Sequence, residues 1–351
     1  MPARRSAISW WRGSATTPER ASAGAAPAVE RRRPVQESPM ARQPIIVDTD
    51  PSPDDAVTFL AALGSPDEVD LLAITTVAGN VPLPLTTKNA LKALELAGRT
   101  DVPVYAGADA PLTRPLATAE YVHGRTGFDG YDLPEPTTPP APGFAPDKII
   151  ELVMSRPEKT VTILALAPLT NIALALAKEP RLADHLKEII LMGGARSEAG
   201  NVTPAAEFNI YVDPEAAVRV FAAGVPLAVI PLDCTHLALT TKARMERLRA
   251  IGTPLAEAFY HLLTFNKLFD EKKFQRDGGP LHDPTTLAYL LKPDLFSGRD
   301  VNIEISTDAL TRGMTVVDWF GVTGRPINAR YLTEIDADGY FDLIIDRLGR
   351  L

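Results

Sequence analysis

The chain has 351 residues, 45% of them hydrophobic, a single cysteine and a formal net charge of −8. That length supports one large α/β domain or two smaller ones. Lone Cys234 excludes an intramolecular disulfide framework and fits a reducing compartment, the acidic balance argues against a nucleic-acid partner, and no apolar run is long enough to span a membrane.

Residues 1–39 stand apart. Seven arginines against three glutamates leave +4 there and −12 in the remainder. Ala, Ser, Pro and Arg dominate without hydrophobic periodicity, so residues 1–40 read as a disordered extension ahead of a single domain at 41–351. Arg4-Arg5 is not followed by the continuous apolar segment of an export signal. An Arg-rich transit peptide and a translation start at Met40 stay open as alternatives.

Ile45–Val47 reads as a buried strand. Four carboxylates follow within eight residues, Asp48, Asp50, Asp54 and Asp55, and a helical pattern opens at Asp54–Leu63. Carboxylates this close repel one another and are costly to bury, so a hard cation is the expected partner. The plainer reading is a solvated turn with Asp54 as helix cap and Asp55 facing the helix dipole. Next come an apolar, β-branched run at Val69–Val77 closed by Ala78-Gly79-Asn80, a helix at Thr86–Ala97 and a short strand at Val102–Tyr105. Residues 108–146 are a Pro- and Gly-rich excursion of the kind that forms lids or binding loops.

Alternation then resumes: helix Asp147–Ser155, strand Thr160–Ala165, helix Leu169–Ala177, strand Glu188–Met192, helix Pro214–Ala223 and strand Leu227–Pro231. Repeated β-α-β units predict a mostly parallel open sheet with helices on both faces, Rossmann-like, whose ligands bind beyond the carboxyl ends of the strands. Thr241–Ala250, Leu255–Lys273 and Pro284–Leu291 form a mostly helical C-terminal region. A small late hairpin, Val301–Ser306 with Met314–Trp319, and a closing helix at Phe341–Leu348 finish the chain.

Three further clusters carry chemistry. His282-Asp283-Pro284 offers another acid to the Asp48–Asp55 group, although Asp283 could simply cap the helix behind it. Asn201, Glu207 and Asn209 supply hydrogen-bonding groups suited to hydroxyls. Tyr121 to Gly127 places His123 between small residues in the long excursion, as a flap or as plain surface loop. Phe265 and Phe269 lie one helical turn apart and could stack on a base, or simply pack in the core. His236, beyond a strand end, reads as structural.

Together these stretches resemble the nucleoside hydrolases, the Ca²⁺-dependent N-ribohydrolases called inosine-uridine-preferring, over roughly residues 44–350. The family's Asp-x-Asp-Pro-Gly-x-Asp-Asp-Ala stands here as Asp48-Thr49-Asp50-Pro51-Ser52-Pro53-Asp54-Asp55-Ala56. Also similar, in register, are Ala73 to Asn80, Val122-His123-Gly124, Pro168 to Asn171, Leu191 to Gly194, Glu207 to Ile210 and His282-Asp283-Pro284.

The resemblance implies hydrolysis of the N-glycosidic bond of ribonucleosides to base and ribose. It implies Ca²⁺ held by Asp50, Asp55, Asp283 and the backbone carbonyl of Leu166. Asp50 would also be the base that deprotonates water, and His282 the candidate acid or contact for the leaving base. Asp54, Asn80, Met192, Asn201, Glu207 and Asn209 would surround the sugar. Asp283 would meet it alongside the metal, and His123, Phe265 and Phe269 would face the base. A cytoplasmic salvage enzyme and a homodimer or homotetramer follow from the same likeness. Two positions depart from the family. Ser52 replaces a glycine, which would be strained if φ there were positive. Phe265 and Phe269 stand where relatives often place tyrosines. The other readings are a metal-dependent phosphohydrolase built on Asp48-Thr49-Asp50 and a silent nucleoside- or ribose-binding protein.

Overall fold

The computed structural model describes residues 42–274 and 277–351; the expectations for residues 1–40 lie outside them. Among the described residues nine strands form one sheet: β1 Gln43–Thr49, β2 Val69–Thr76, β3 Val104–Ala106, β4 Thr162–Ala165, β5 Glu188–Met192, β6 Leu227–Ile230, β7 Phe296–Ile305, β8 Thr315–Asp318 and β9 Ala329–Ile335. Their order is β3-β2-β1-β4-β5-β6-β9-β7-β8. Neighbours from β3 through β9 pair in parallel, while β7 runs antiparallel to β9, and β8 to β7.

The expected late hairpin is β7–β8, and it is the outer rim of the main sheet. β9, to which the sequence reading assigned no element, wedges between β6 and β7 and joins the hairpin to the parallel strands. Its Ala329, Tyr331 and Leu332 are buried while Arg330 and Glu334 are exposed.

Side chains leave a strand on alternate faces, so each apolar strand feeds two cores. Ile45, Val47, Leu164 and Ile190 join one, with helices Pro53–Leu63, Leu83–Leu96, Pro284–Leu291 and Ala337–Leu348. Ile46, Ile163, Ile189 and Val229 join the other, with helices Ala145–Met154, Thr170–Lys178 and Pro214–Phe221. Each such fully buried aliphatic side chain contributes about 2 kcal/mol of transfer free energy.

The chain climbs from β1 through β2 to β3, then returns to lay β4 on the other side of β1. That reversal is a topological switch point, where an open α/β sheet leaves a crevice beyond its carboxyl strand ends. Helix Pro53–Leu63, entered from β1, is buried along its whole length, its two acids included. It packs on helices Pro254–Phe274, Pro284–Leu291 and Ala337–Leu348, which share its core on one face of the sheet.

Candidate active site

The turn after β1 is held by its own side chains. Ser52 caps helix Pro53–Leu63 with φ −101° and ψ 179°, and Pro53 takes the first helical position. Serine is therefore unstrained where the family has glycine. The extended backbone also suits a residue preceding proline. The Ser52 N–H donates to Asp55 Oδ2 at 2.9 Å, and its hydroxyl lies 2.5 Å from Asp54 Oδ1 and 2.9 Å from Asp55 Oδ2. Thr49 Oγ1 donates to Asp55 Oδ1 at 2.6 Å. Ser52, not Asp54, is therefore the N-cap, and Asp55 completes the capping box by accepting the Ser52 N–H.

Asp50 and Asp48 are fully buried. Asp50 Oδ2 accepts the Asn80 N–H at 2.6 Å, while its Oδ1 has no hydrogen-bond partner among the described residues. Asp48 Oδ1 accepts from Thr75 Oγ1 at 2.6 Å and from Asn171 Nδ2 at 2.8 Å. Asp283 stands at the start of helix Pro284–Leu291, yet its side chain makes no capping bond. One oxygen each of Asp54, Asp55 and Asp283 come within 4.8 Å of one another.

Electrostatics mark this cluster. Burial, then the neighbouring Asp55 charge, raises the Asp50 carboxyl well above its usual range. Asp283 is raised by burial and then by Asp54, Asp55 and Asp50. Burial pushes Asp48 and Asp55 up to about 7. Carboxylates in this state are waiting on a positive charge to ionise. Two observations show that the residues fit a divalent cation: the orphaned Asp50 Oδ1, and a donor set made of oxygen alone. The Leu166 carbonyl accepts Asn209 Nδ2 at 2.8 Å and keeps a second lone pair.

A cleft of about 890 Å³, mouth included, opens over the cluster. Asp54, Asn80, His123, Leu166, Met192, Asn201, Glu207, Asn209, Phe269, His282 and Asp283 all line it. Asp50 and Asp55 are buried and do not reach its surface. Phe265 is not brought in either. It is 37% exposed and lies against Gly130, where an added Cβ would sit 2.5 Å from its own.

Each wall has a local cause. Glu207 caps helix Phe208–Val212 through the Asn209 and Ile210 N–H groups and takes the Gly194 N–H at 3.0 Å; burial lifts its carboxyl to about 7. Asn209 Nδ2 reaches the carbonyls of both Leu166 and Met192, joining the ends of β4 and β5. Asn201 Oδ1 accepts the Phe208 N–H at 2.9 Å. The long excursion is tied down by Asn89, whose Nδ2 donates to Pro51 O at 3.0 Å and Thr126 O at 2.8 Å. This sets His123 on the short helix Glu120–His123, where its Nδ1 lies 3.1 Å from Asn266 Nδ2. His282 Nδ1 lies 2.8 Å from Thr235 Oγ1, and desolvation holds its pKa down at about 4.

Sequence reasoning missed Tyr121, Asn266, Lys267 and Lys273 as cleft residues. Tyr121 meets Phe269 edge-on, with centroids 5.6 Å apart. Lys273 Nζ donates to Asn201 O at 2.7 Å, joining two residues of the cleft wall. The signal for Tyr121 was its nearness to His123. The other three depend on the rotation of helix Pro254–Phe274, which its apolar pattern does not resolve.

An open α/β sheet, a switch-point crevice and a buried nest of carboxylates at its floor define an α/β protein with a ligand site where such sheets bind their substrates. The sequence profile of the inosine-uridine preferring nucleoside hydrolases matches residues 45–342, and the chain belongs to that family. It is 50% identical to an uncharacterized protein of Schizosaccharomyces pombe over 88% of this chain and 99% of that one. It is 45% identical to the pyrimidine-specific ribonucleoside hydrolase RihA of Photobacterium profundum, again over 88% and 99%. Among solved structures, a plant nucleoside hydrolase superposes with a TM-score of 0.81 at 34% identity, covering 88% of this chain and 99% of that one. The purine-preferring ribonucleoside hydrolase of Gardnerella vaginalis gives 0.82 at 29%, covering 88% and 98%.

Proposed function

We propose that this protein hydrolyses the N-glycosidic bond of ribonucleosides with one Ca²⁺ held by Asp50, Asp55, Asp283 and the Leu166 carbonyl. The observation that carries this reading is the buried, partnerless Asp50 Oδ1, a carboxylate that feels the Asp55 charge and acts on Asp283, two of the acids whose oxygens group with Asp54 within 4.8 Å of one another. When bound, the ion supplies Lewis-acid chemistry, acidifying water and gripping the ribose diol.

Asp50 takes the proton of the attacking water, with its other oxygen fixed by the Asn80 N–H. Asp54 binds the 2′-hydroxyl, and Asn80 and Asn209 hold ribose hydroxyls. Asn201 and Glu207 receive the 5′ end, and Met192 packs on the sugar. These contacts suit a flattened, oxocarbenium-like transition state. His282 and His123 meet the base, and Phe269 stacks beside it. With its pKa near 4, His282 is neutral at pH 7 and acts as a hydrogen-bond donor to the departing base.

Pyrimidine ribonucleosides are the favoured substrates, because relatives named as pyrimidine-specific share 45% identity along nearly their whole length. Residues 41–351 are the single catalytic domain, working in cytoplasmic nucleoside salvage. A homo-oligomer is supported by exposed Leu310, Phe320 and Val322 on the rim of the sheet. The test is a panel of uridine, cytidine, inosine, adenosine and guanosine, scored for free base and ribose with and without chelator. Full activity after removal of divalent ions would refute the metal assignment. Phosphate release from nucleotides without free base would point to phosphohydrolysis instead.

A further inference from the structure

We infer that Thr235 is a positioning residue that sets the tautomer of His282, so that Nε2–H faces the leaving base. The inference rests on the nucleoside hydrolysis proposed above. Thr235 is fully buried at the end of the short helix Leu232–Thr235, just past β6. Among the described residues its side-chain oxygen has one partner, His282 Nδ1 at 2.8 Å.

Proton accounting decides the direction of that bond. A threonine hydroxyl carries one proton and can donate or accept. If His282 donated from Nδ1, the Thr235 proton would be left buried without an acceptor, at a cost of about 1–3 kcal/mol. If Thr235 donates, both groups are satisfied. Nδ1 is then the acceptor, and the single proton of the neutral imidazole sits on Nε2.

His236 packs beside this pair, with its ring 6.0 Å from that of His282. Its Nδ1 lies 2.7 Å from Glu198 Oε2, and a carboxylate partner places the proton on that nitrogen. The two neighbouring rings thus meet different partners at Nδ1, a hydroxyl for His282 and a carboxylate for His236. A base carbonyl or ring nitrogen in the cleft meets a donor from His282. The wrong tautomer would offer it a lone pair.

The test uses Ca²⁺-loaded protein labelled with ¹⁵N-histidine, without substrate, and reads the His282 ring nitrogens by long-range ¹H–¹⁵N correlation. The signals are assigned by their loss in His282→Gln. Wild type is expected to show a protonated Nε2. Thr235→Val should mix the tautomers, lower kcat on uridine about tenfold and leave KM within about twofold, and Thr235→Ser should restore both readouts. A wild-type His282 protonated on Nδ1 overturns the inference, as does a valine variant that keeps the wild-type ring signature. The ring spectrum is read without turnover, so it still decides this point if no nucleoside proves to be a substrate.

Discussion

A Cβ placed on Gly79 would lie 1.9 Å from Asp50 Oδ2. The glycine after β2 therefore leaves the room that the Asp50 carboxylate occupies after β1. Gly79→Ala should push Asp50 out of line and reduce kcat about a hundredfold, since displacements near 1 Å cost that much. Base release, with Ca²⁺ titration by calorimetry, checks it. Unchanged turnover and affinity would show that the close approach has no catalytic meaning.

Asp50→Asn should reduce kcat about a thousandfold or more, because both proton abstraction and ligation fail. The same change should not destabilise metal-free protein. Burial already favours the neutral form of Asp50, and an amide oxygen can still accept the Asn80 N–H. A near-normal rate would remove Asp50 from the mechanism.

Without divalent ions, stability should fall as pH rises. Asp48 and Asp55 keep their protons to about 7 in the folded state, against an ordinary value of 3.8. A raised folded-state pKa stabilises fully below the unfolded value and loses that contribution as pH passes through the folded one. In chelator, the melting temperature should therefore drop between about pH 4 and pH 7, and added Ca²⁺ should recover it at the upper end. A flat or rising profile in chelator would contradict this.

Ser52→Gly should destabilise the protein by roughly 1 kcal/mol, through the lost hydroxyl bonds to Asp54 and Asp55. Glycine gains nothing at φ −101°. Equilibrium denaturation measures the difference. A stabilised variant would mean that serine carries strain after all.

The two phenylalanines should separate. Phe269→Ala removes a wall of the cleft and should raise KM about tenfold, the scale of a base–aromatic stack. Phe265→Ala, against Gly130 and away from the cleft, should leave KM unchanged. Equal effects on KM would place both rings at the substrate.

Most of the sheet and the polar floor of the cleft were legible in the sequence, because strands buried on both faces read as unbroken apolar runs and polar residues crowd their ends; the wall from helix Pro254–Phe274, with Asn266, Lys267 and Lys273, was not. Ile45–Val47 with Asp48 and Asp50 is the clearest case. β9 escaped because Ala329–Ile335 mixes Arg330, Thr333 and Glu334 into a short run, and only insertion between β6 and β7 buries its apolar face. Phe265 was misplaced because helical spacing tells which residues share a face, not what that face meets. The Thr235–His282 bond joins residues 47 apart in sequence, so no local pattern announces it.

The switch point also has a temporal side. Asp50 follows the first strand, Leu166 the fourth, and Asp283 comes after the six parallel strands of the main crossover series. The ion proposed above, needing all three, would grip only a chain whose distant segments have already docked. Such a ligand stabilises the finished fold and ignores its unfolded or half-made forms, by a margin that grows with the logarithm of ion concentration. Calcium uptake, followed during refolding, would then act as a clock for the moment when the last helices close over the first turn.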